Sequence, residues 1–154
     1  MKIRADEHVA PAIVTAVQEI ALSKGVELSS VLNSGYKGSS DVHWITEFMK
    51  DSGQAILTAD KDFIELVPQV MAVRDTGAKV IHLPKQWAMA EGRLQAAHIL
   101  VWWRRIETQI REMQPRECYR PPWNIRQDGK LKKIVIDFAK VSRKKKKATR
   151  PGRR

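Results

Sequence analysis

The sequence predicts an α/β fold of three layers, in which helices cover both faces of a mainly parallel central sheet. Two observations support this fold class. Short apolar runs of strand length alternate with amphipathic helical patterns through most of the chain, as is typical of parallel sheets. The hydrophobic share of 43% in 154 residues is enough to build the core of a single domain.

The first elements follow from apolar spacing and from glycine. Residues 2–6 predict a short strand, and residues 9–23 carry apolar side chains at the spacing of one helical face. Gly25 follows that helix, as glycine commonly does at a helix end. Residues 26–32 predict a second strand, and the composition of residues 33–40 predicts a loop.

The middle of the chain repeats the alternation. A second helix is predicted from residue 40 or 41 to about residue 51, and an apolar strand at 55–58. A further helix begins at Asp62, where the spacing to Glu65 resembles a capping box, and Pro68 predicts a kink or a restart. A fourth strand is predicted at 79–83.

The last third contains one long helix and a change of pattern. Residues 87–113 have apolar side chains in alternating steps of three and four, on more than one side of the predicted helix. Beyond residue 117, the Asp128-Gly129 pair lies between two strand-like segments and predicts a β-hairpin or an added edge of the sheet. We expect the long helix to contact a partner.

Positive charge is concentrated at the C-terminus. The net charge is +11, but residues 143–154 hold eight Lys or Arg and no acid, which leaves 20 basic and 17 acidic residues elsewhere. Such a block is typical of a disordered tail attracted to polyanions, although a solubility tail is an alternative. We therefore predict a domain at 1–115, a hairpin-like extension at 116–139 and a disordered basic tail at 140–154.

The sequence also predicts a cytoplasmic protein that does not enter a membrane. No apolar run approaches the roughly 18 residues of a membrane span, and the N-terminus lacks the apolar stretch of a secretory signal. The single cysteine, Cys118, excludes an internal disulfide and a four-thiolate zinc site within one chain.

Acidic residues follow the predicted strands at the point where each strand ends. Asp6 follows the first strand, Asp60 and Asp62 follow the third, and Asp41 opens the second helix. In parallel sheets, sites form at the carboxyl ends of the strands, so these acids should meet at one edge. Clustered carboxylates repel one another unless some take up protons or a cation binds, and their hard oxygens select Mg²⁺ or Mn²⁺.

Three segments carry a resemblance to a known family. The set ADEH at 5–8, SSDVHW at 39–44 and ILTADKDF at 56–63 resembles the PIN-like nucleases, and within them the compact VapC-like toxins of bacterial toxin–antitoxin pairs. The resemblance covers about residues 1–85 and extends more loosely to residue 114. The hairpin and the basic tail are not part of the family pattern.

The resemblance implies an RNA-cleaving site with Mg²⁺ or Mn²⁺. The acids at the matching positions, which would hold the metal and support catalysis, are Asp6, Asp41, Asp60 and Asp62. Thr58 is our candidate for a further polar site residue, because its position two before Asp60 in a strand directs both side chains the same way. One or two of these acids have a simpler alternative role as helix-terminal residues.

Four neighbours of these acids are candidates for binding the substrate: His8, His43, Trp44 and Lys61. The histidines flank site acids and could act as general acids or contact the substrate. The tryptophan could stack on a base, as aromatic side chains do in single-strand binding.

Together with the resemblance, these features predict a metal-dependent endoribonuclease, and the resemblance implies that it is the toxin of a type II toxin–antitoxin system. RNA, a cognate antitoxin and a second copy of the chain are the expected partners. Two alternatives stay open: a catalytically inactive PIN-like protein that binds RNA or regulates, and a receiver-type phosphoacceptor domain. A receiver domain would place paired acids after the first strand rather than the third, with Lys85 as its candidate lysine.

Overall fold

The computed structural model describes residues 1–36 and 38–149. In these residues the strands are β1 (Lys2–Ala5), β2 (Glu27–Ser30), β3 (Ala55–Thr58), β4 (Lys79–His82), β5 (Cys118–Arg120) and β6 (Lys132–Ile134). The helices are α1 (Pro11–Ile20), α2 (Asp41–Lys50), α3 (Asp62–Glu65), α4 (Val67–Thr76), α5 (Lys85–Ala88), α6 (Gly92–Glu112) and α7 (Phe138–Ala148). None of these helices is both long enough and apolar enough to cross a membrane.

The strands form one six-stranded sheet in the order β2-β1-β3-β4-β5-β6. All neighbouring pairs are parallel except β5 and β6, which are antiparallel. The predicted α/β fold with a mainly parallel sheet and a C-terminal hairpin is therefore confirmed. Because β5 pairs with β4, the C-terminal extension continues the central sheet, and its Cys118 is buried in the same cluster as Ile56 of β3.

Helices cover both faces of the sheet, and each face has its own apolar core. On one face, α1 packs against α6, and Leu57 of β3 and Trp103 of α6 belong to the same buried cluster. On the other face, α2 and α7 both pack against α4, and Ile56 of β3 belongs to that cluster. The opposite placement of Ile56 and Leu57 follows from the alternation of side chains along a strand.

Two predicted helices are divided in the structure. The predicted helix at 87–113 is present as α5 and α6, and Gly92, a poor helix former, lies where α6 begins. The helix predicted from Asp62 is present as α3 and α4. Pro68 lies in the first turn of α4, where its missing N–H costs no hydrogen bond.

The prediction that residues 140–154 are disordered was wrong for the part that the structure describes, because residues 140–148 are helical. Asp137 caps α7 by accepting a hydrogen bond from the Lys140 backbone N–H at 2.9 Å. Val141 is buried against the α4 layer, and Arg74 of α4 donates to Ser142 at 2.9 Å. These contacts outweigh the repulsion among the lysines, which lie on the exposed side. The remainder of the predicted tail, residues 150–154, lies outside the described residues.

Candidate active site

The parallel pairing of β1 with β3 brings two predicted site residues together. Ala5 pairs with Leu57, and the Asp6 backbone N–H donates to the Leu57 carbonyl at 3.0 Å. The Asp6 side chain is buried, with 1% of its surface exposed. One of its carboxylate oxygens accepts a hydrogen bond from the Thr58 hydroxyl, and the other accepts from the His8 backbone N–H at 3.0 Å. Asp6 is therefore held rigidly at the end of its strand.

Thr58 connects Asp6 to Asp60. Its hydroxyl oxygen accepts a hydrogen bond from the Asp60 backbone N–H at 2.9 Å while it donates to Asp6. The Asp60 carboxylate in turn accepts from the Asp62 backbone N–H at 2.9 Å, and its second oxygen lies 3.2 Å from Nε2 of His8. We call Asp6 and Asp60 the acidic pair. Thr58 and His8 are linked to both of its members.

Burial makes Asp6 of the acidic pair sensitive to proton or cation binding. Burial raises the pKa of Asp6 from 3.8 to about 7, and the negative charge of Asp60 acts in the same direction. The hydrogen bond from Thr58 and the neighbouring His8 oppose this rise without cancelling it. A bound cation would stabilise the ionised form of Asp6. It would thereby offset the free-energy cost of burying that charge.

The hydrogen bonds of the Asp41 carboxylate connect it to other residues than the acidic pair. One of its carboxylate oxygens accepts from Nε1 of Trp44 at 3.0 Å, and the other accepts from Nε2 of Gln69 at 2.9 Å. Within the described residues, no group of three or more His, Cys, Asp or Glu side chains is placed to hold a metal ion. The predicted four-acid metal set is therefore not assembled in this structure.

The predicted capping box between Asp62 and Glu65 does not form. The residue before the helix is Lys61, and its side chain makes no capping hydrogen bond. The local turn is instead fixed by the Asp60 carboxylate, which accepts from the Asp62 backbone. Within the described chain, the Asp62 carboxylate has no hydrogen bond or ion pair, so it is free to meet an incoming ligand.

The candidate substrate-binding residues differ in their positions. Trp44 is 1% exposed and packs on Phe63 with ring centroids 6.2 Å apart, so the prediction that it stacks on a base was wrong. It lies on the inner face of α2, where an apolar ring gains most from burial. His43 is exposed and contacts the Tyr36 ring. His8 and Lys61 line a cavity beside the acidic pair.

This cavity has a volume of about 750 Å³ and lies at the carboxyl ends of β3 and β4. We call it the basic cavity, since its walls carry Lys61, Lys85, Arg120 and Lys132 beside only two acids, Asp60 and Glu65. Cations around a cavity attract phosphate groups and raise the local concentration of a polyanionic ligand. The arrangement therefore places a carboxylate of the acidic pair at the wall of a phosphate-attracting cavity.

His82 is a candidate site residue that we did not select from the sequence. It is buried in the wall of the basic cavity, and its Nδ1 accepts a hydrogen bond from Nε of Arg120 at 3.1 Å. Burial and the charge of Arg120 lower the pKa of His82 to about 4, against an opposing effect of Asp60. Its Nε2 has no hydrogen-bond partner among the described residues. The sequence signal is a histidine near the end of an apolar strand, and the structure places it in register with Thr58.

The acidic pair has the donor chemistry of a Mg²⁺ or Mn²⁺ site. Mg²⁺ is commonly held by one or two carboxylates and keeps several of its waters, so it does not require a complete protein cage. Asp6 and Asp60 supply carboxylate oxygens, and burial makes the ionised form of Asp6 costly unless a positive charge compensates it. The residues present therefore fit a divalent cation, with Asp62 as a further oxygen donor nearby in the chain.

Thr58→Val tests the connection between the two acids. Valine keeps the shape of threonine in the sheet but leaves the Asp60 N–H without its acceptor and Asp6 without its hydroxyl donor. We expect the free energy of unfolding to fall by about 1–3 kcal/mol. Thr58→Ser, which keeps the hydroxyl, should restore most of this stability. Denaturant melts of both variants check this, and a Thr58→Val protein as stable as the wild type would contradict it.

Comparison with known proteins agrees with the α/β fold. The model of a family described as PIN like domain matches residues 1–85, which is more than half of the chain. No curated protein and no solved structure matches the chain. PIN-like domains are commonly nucleases and generally use divalent metal ions, so the match supports a nuclease-type function. The chain belongs to the PIN-like domain family.

Proposed function

We propose that the protein is an endoribonuclease that hydrolyses RNA phosphodiester bonds with Mg²⁺ or Mn²⁺. One observation carries the proposal: the acidic pair is joined through Thr58, and its Asp60 lines the basic cavity. A carboxylate pair with one buried member, Asp6, favours a cation, and the surrounding lysines and arginine favour the phosphates of a substrate. The two features together fit hydrolysis of a phosphodiester better than either does alone.

Each residue around the pair has a role in this proposal. Asp6 and Asp60 hold the cation, and Thr58 fixes the orientation of both. A divalent ion supplies Lewis acidity, which makes water a nucleophile at neutral pH and stabilises the leaving oxygen. His8 orients Asp60 through its Nε2, and its ring is half-exposed at the cavity wall, where it can contact the substrate. Lys61 and Lys85 bind the phosphates that flank the cut.

The other two predicted acids have unequal roles. Asp62 is the third acid that we propose for the centre, since its carboxylate makes no competing bond in the described structure and it follows Asp60 closely in the chain. Asp41 orients α2 against α4 through Trp44 and Gln69, so we assign it to positioning. His43 beside Asp41 remains a proposed substrate contact at the opening turn of α2.

A cleavage assay with the purified full-length protein tests the proposal. End-labelled RNA is incubated with Mg²⁺, with Mn²⁺ or with excess EDTA, and the products are separated by length. We expect internal cuts with either metal, no cuts in EDTA, and recovery when metal is added back. Cleavage that persists without metal would contradict the proposed chemistry.

The separation of Asp41 from the acidic pair favours a second candidate function. A PIN-like protein without a complete acid set could bind RNA through the basic cavity and the lysines of α7 without cutting it. Such a protein would bind RNA equally well in Mg²⁺ and in EDTA and would give no products in either. The same assay, with a binding measurement added, separates the two functions.

We further propose that the nuclease is the toxin of a type II toxin–antitoxin system in the cytoplasm. The resemblance to VapC-like toxins supports this role, and the exposed Leu94 and Val101 on α6 provide apolar surface for an antitoxin or a second copy of the chain. Induced expression should arrest bacterial growth, and co-expression of the proposed antitoxin should relieve the arrest. Normal growth with an active nuclease present would contradict the toxin role.

A further inference from the structure

Part of the basic cavity is built by the C-terminal extension. Arg120, Trp123 and Lys132 line it, and all three lie well beyond residue 85, where the family match ends. The extension reaches the cavity because β5 pairs with β4, and β4 lies next to β3, whose end carries the acidic pair. The sheet order therefore places this added segment directly beside the proposed catalytic centre.

Trp123 differs from the other tryptophans of the chain. All five lie in described residues, and the other four are buried, whereas Trp123 is 62% exposed. A large aromatic ring exposed at a cavity wall presents an apolar face and a polar N–H to a ligand. Its backbone is nevertheless fixed, since Nε1 of the buried Trp87 donates to the Trp123 carbonyl at 2.8 Å. The ring is thus an accessible aromatic surface on an anchored backbone.

The residues before Trp123 add to this rigidity. Pro121 and Pro122 are both buried in the cavity wall, and proline restricts the backbone to a narrow range of φ. Arg120 is oriented by its hydrogen bond to His82. A ligand that binds here meets an aromatic face and a guanidinium already in place, so little entropy is lost in ordering them.

We propose that the basic cavity is a subsite for one nucleotide of a single-stranded RNA substrate, which deepens the proposed function and rests on it. Trp123 stacks on the base, and Arg120 and Lys132 bind the neighbouring phosphates. Stacking on one aromatic ring requires an unpaired base, because the faces of paired bases are covered in a helix. The volume of about 750 Å³ lies within the range of pockets that hold ligands of this size.

Binding measured in EDTA tests the subsite independently of cleavage. The probe is a short fluorescently labelled oligouridylate, titrated with the full-length protein and followed by anisotropy. We expect Trp123→Ala to weaken binding about tenfold and Trp123→Phe to keep most of the affinity, since phenylalanine also stacks. Val135→Ala is the matched control, because Val135 is also exposed and apolar but does not line the cavity. It should bind as the wild type does.

Intrinsic fluorescence provides a second readout. The single exposed tryptophan should be quenched by oligouridylate in the wild type, and the quenching should be absent in Trp123→Phe although that variant still binds. The affinity falls as salt rises, and Lys132→Ala should make this dependence less steep, reducing the magnitude of the slope of log affinity against log salt by about 0.7. Lys24→Ala, at the amino end of β2, should leave this slope unchanged.

The possible results separate the subsite from the proposed catalysis. Weak binding by Trp123→Ala supports the subsite even if the wild type never cuts RNA, a result that would overturn only the nuclease proposal. Equal affinity of Trp123→Ala and wild type, or equal binding of a fully duplexed RNA, overturns the subsite whether or not cleavage occurs.

Discussion

Asp60→Asn is expected to reduce metal-dependent RNA cleavage by about a hundredfold or more, since the loss of a metal-binding charge removes several kcal/mol of transition-state stabilisation. Asparagine keeps the oxygen that accepts from the Asp62 backbone, so the turn after β3 should be retained. Single-turnover cleavage in Mn²⁺ measures the effect. Wild-type rates in the variant would show that Asp60 only fixes the turn.

Asp41→Asn is the matched control, because it also removes one charge from a predicted site acid. Asparagine can still accept from Trp44, and Gln69 can rotate its amide to offer Oε1, which lacks a hydrogen-bond partner in the described structure. We expect cleavage within a few-fold of wild type and little loss of stability. If Asp41→Asn is as inactive as Asp60→Asn, Asp41 also belongs to the centre and its assignment to positioning is wrong.

Asp6→Asn is expected to stabilise the metal-free protein at neutral and higher pH while it removes activity. The folded-state pKa of Asp6 is raised from 3.8 to about 7, so the folded chain binds this proton more tightly than the unfolded chain does. Stability is therefore lost as pH rises from about 4 to 7, and the loss is about 4 kcal/mol above that range. Asparagine stays neutral and avoids this loss.

Urea unfolding in EDTA across pH 4 to 8 measures this effect as the difference between wild type and variant. The difference should grow with pH and level off above about pH 7. Added Mn²⁺ should stabilise the wild type at pH 8 but not Asp6→Asn. Asp128→Asn removes an exposed carboxylate, and its free energy of unfolding should vary with pH in the same way as that of the wild type. If the free energy of unfolding of Asp6→Asn also varied with pH as that of the wild type does, ionisation of the buried Asp6 would not destabilise the fold, and the account would be wrong.

The core of the site could be predicted from the sequence because strand geometry determines it. Once ILTAD is recognised as a strand and its continuation, Thr58 and Asp60 follow at a two-residue spacing, and parallel pairing places Asp6 beside them. The fold class followed from the alternation of strands and helices for the same reason. In both cases a short-range pattern in the sequence predicts which distant parts of the chain come together.

The remaining features depend on contacts that no local pattern encodes. Trp44 is buried because its side of α2 packs against the α4 layer. The orientation of α2 depends on the whole helix, so it cannot be predicted from the position of Trp44 near Asp41 in the sequence. Arg120 reaches His82 only because β5 joins the sheet next to β4. The helix α7 forms although its lysines repel one another, because Val141 on its apolar side packs against the α4 layer.

The central claim is that Asp6 and Asp60 hold a divalent cation, and a Mn²⁺ titration tests it most directly. Electron paramagnetic resonance of free Mn²⁺ counts the ions that the protein binds without requiring any substrate. The account predicts saturable binding by the wild type and by Asp41→Asn, and its loss in Asp60→Asn. Binding that is equal in wild type and Asp60→Asn, or absent from both, would contradict it.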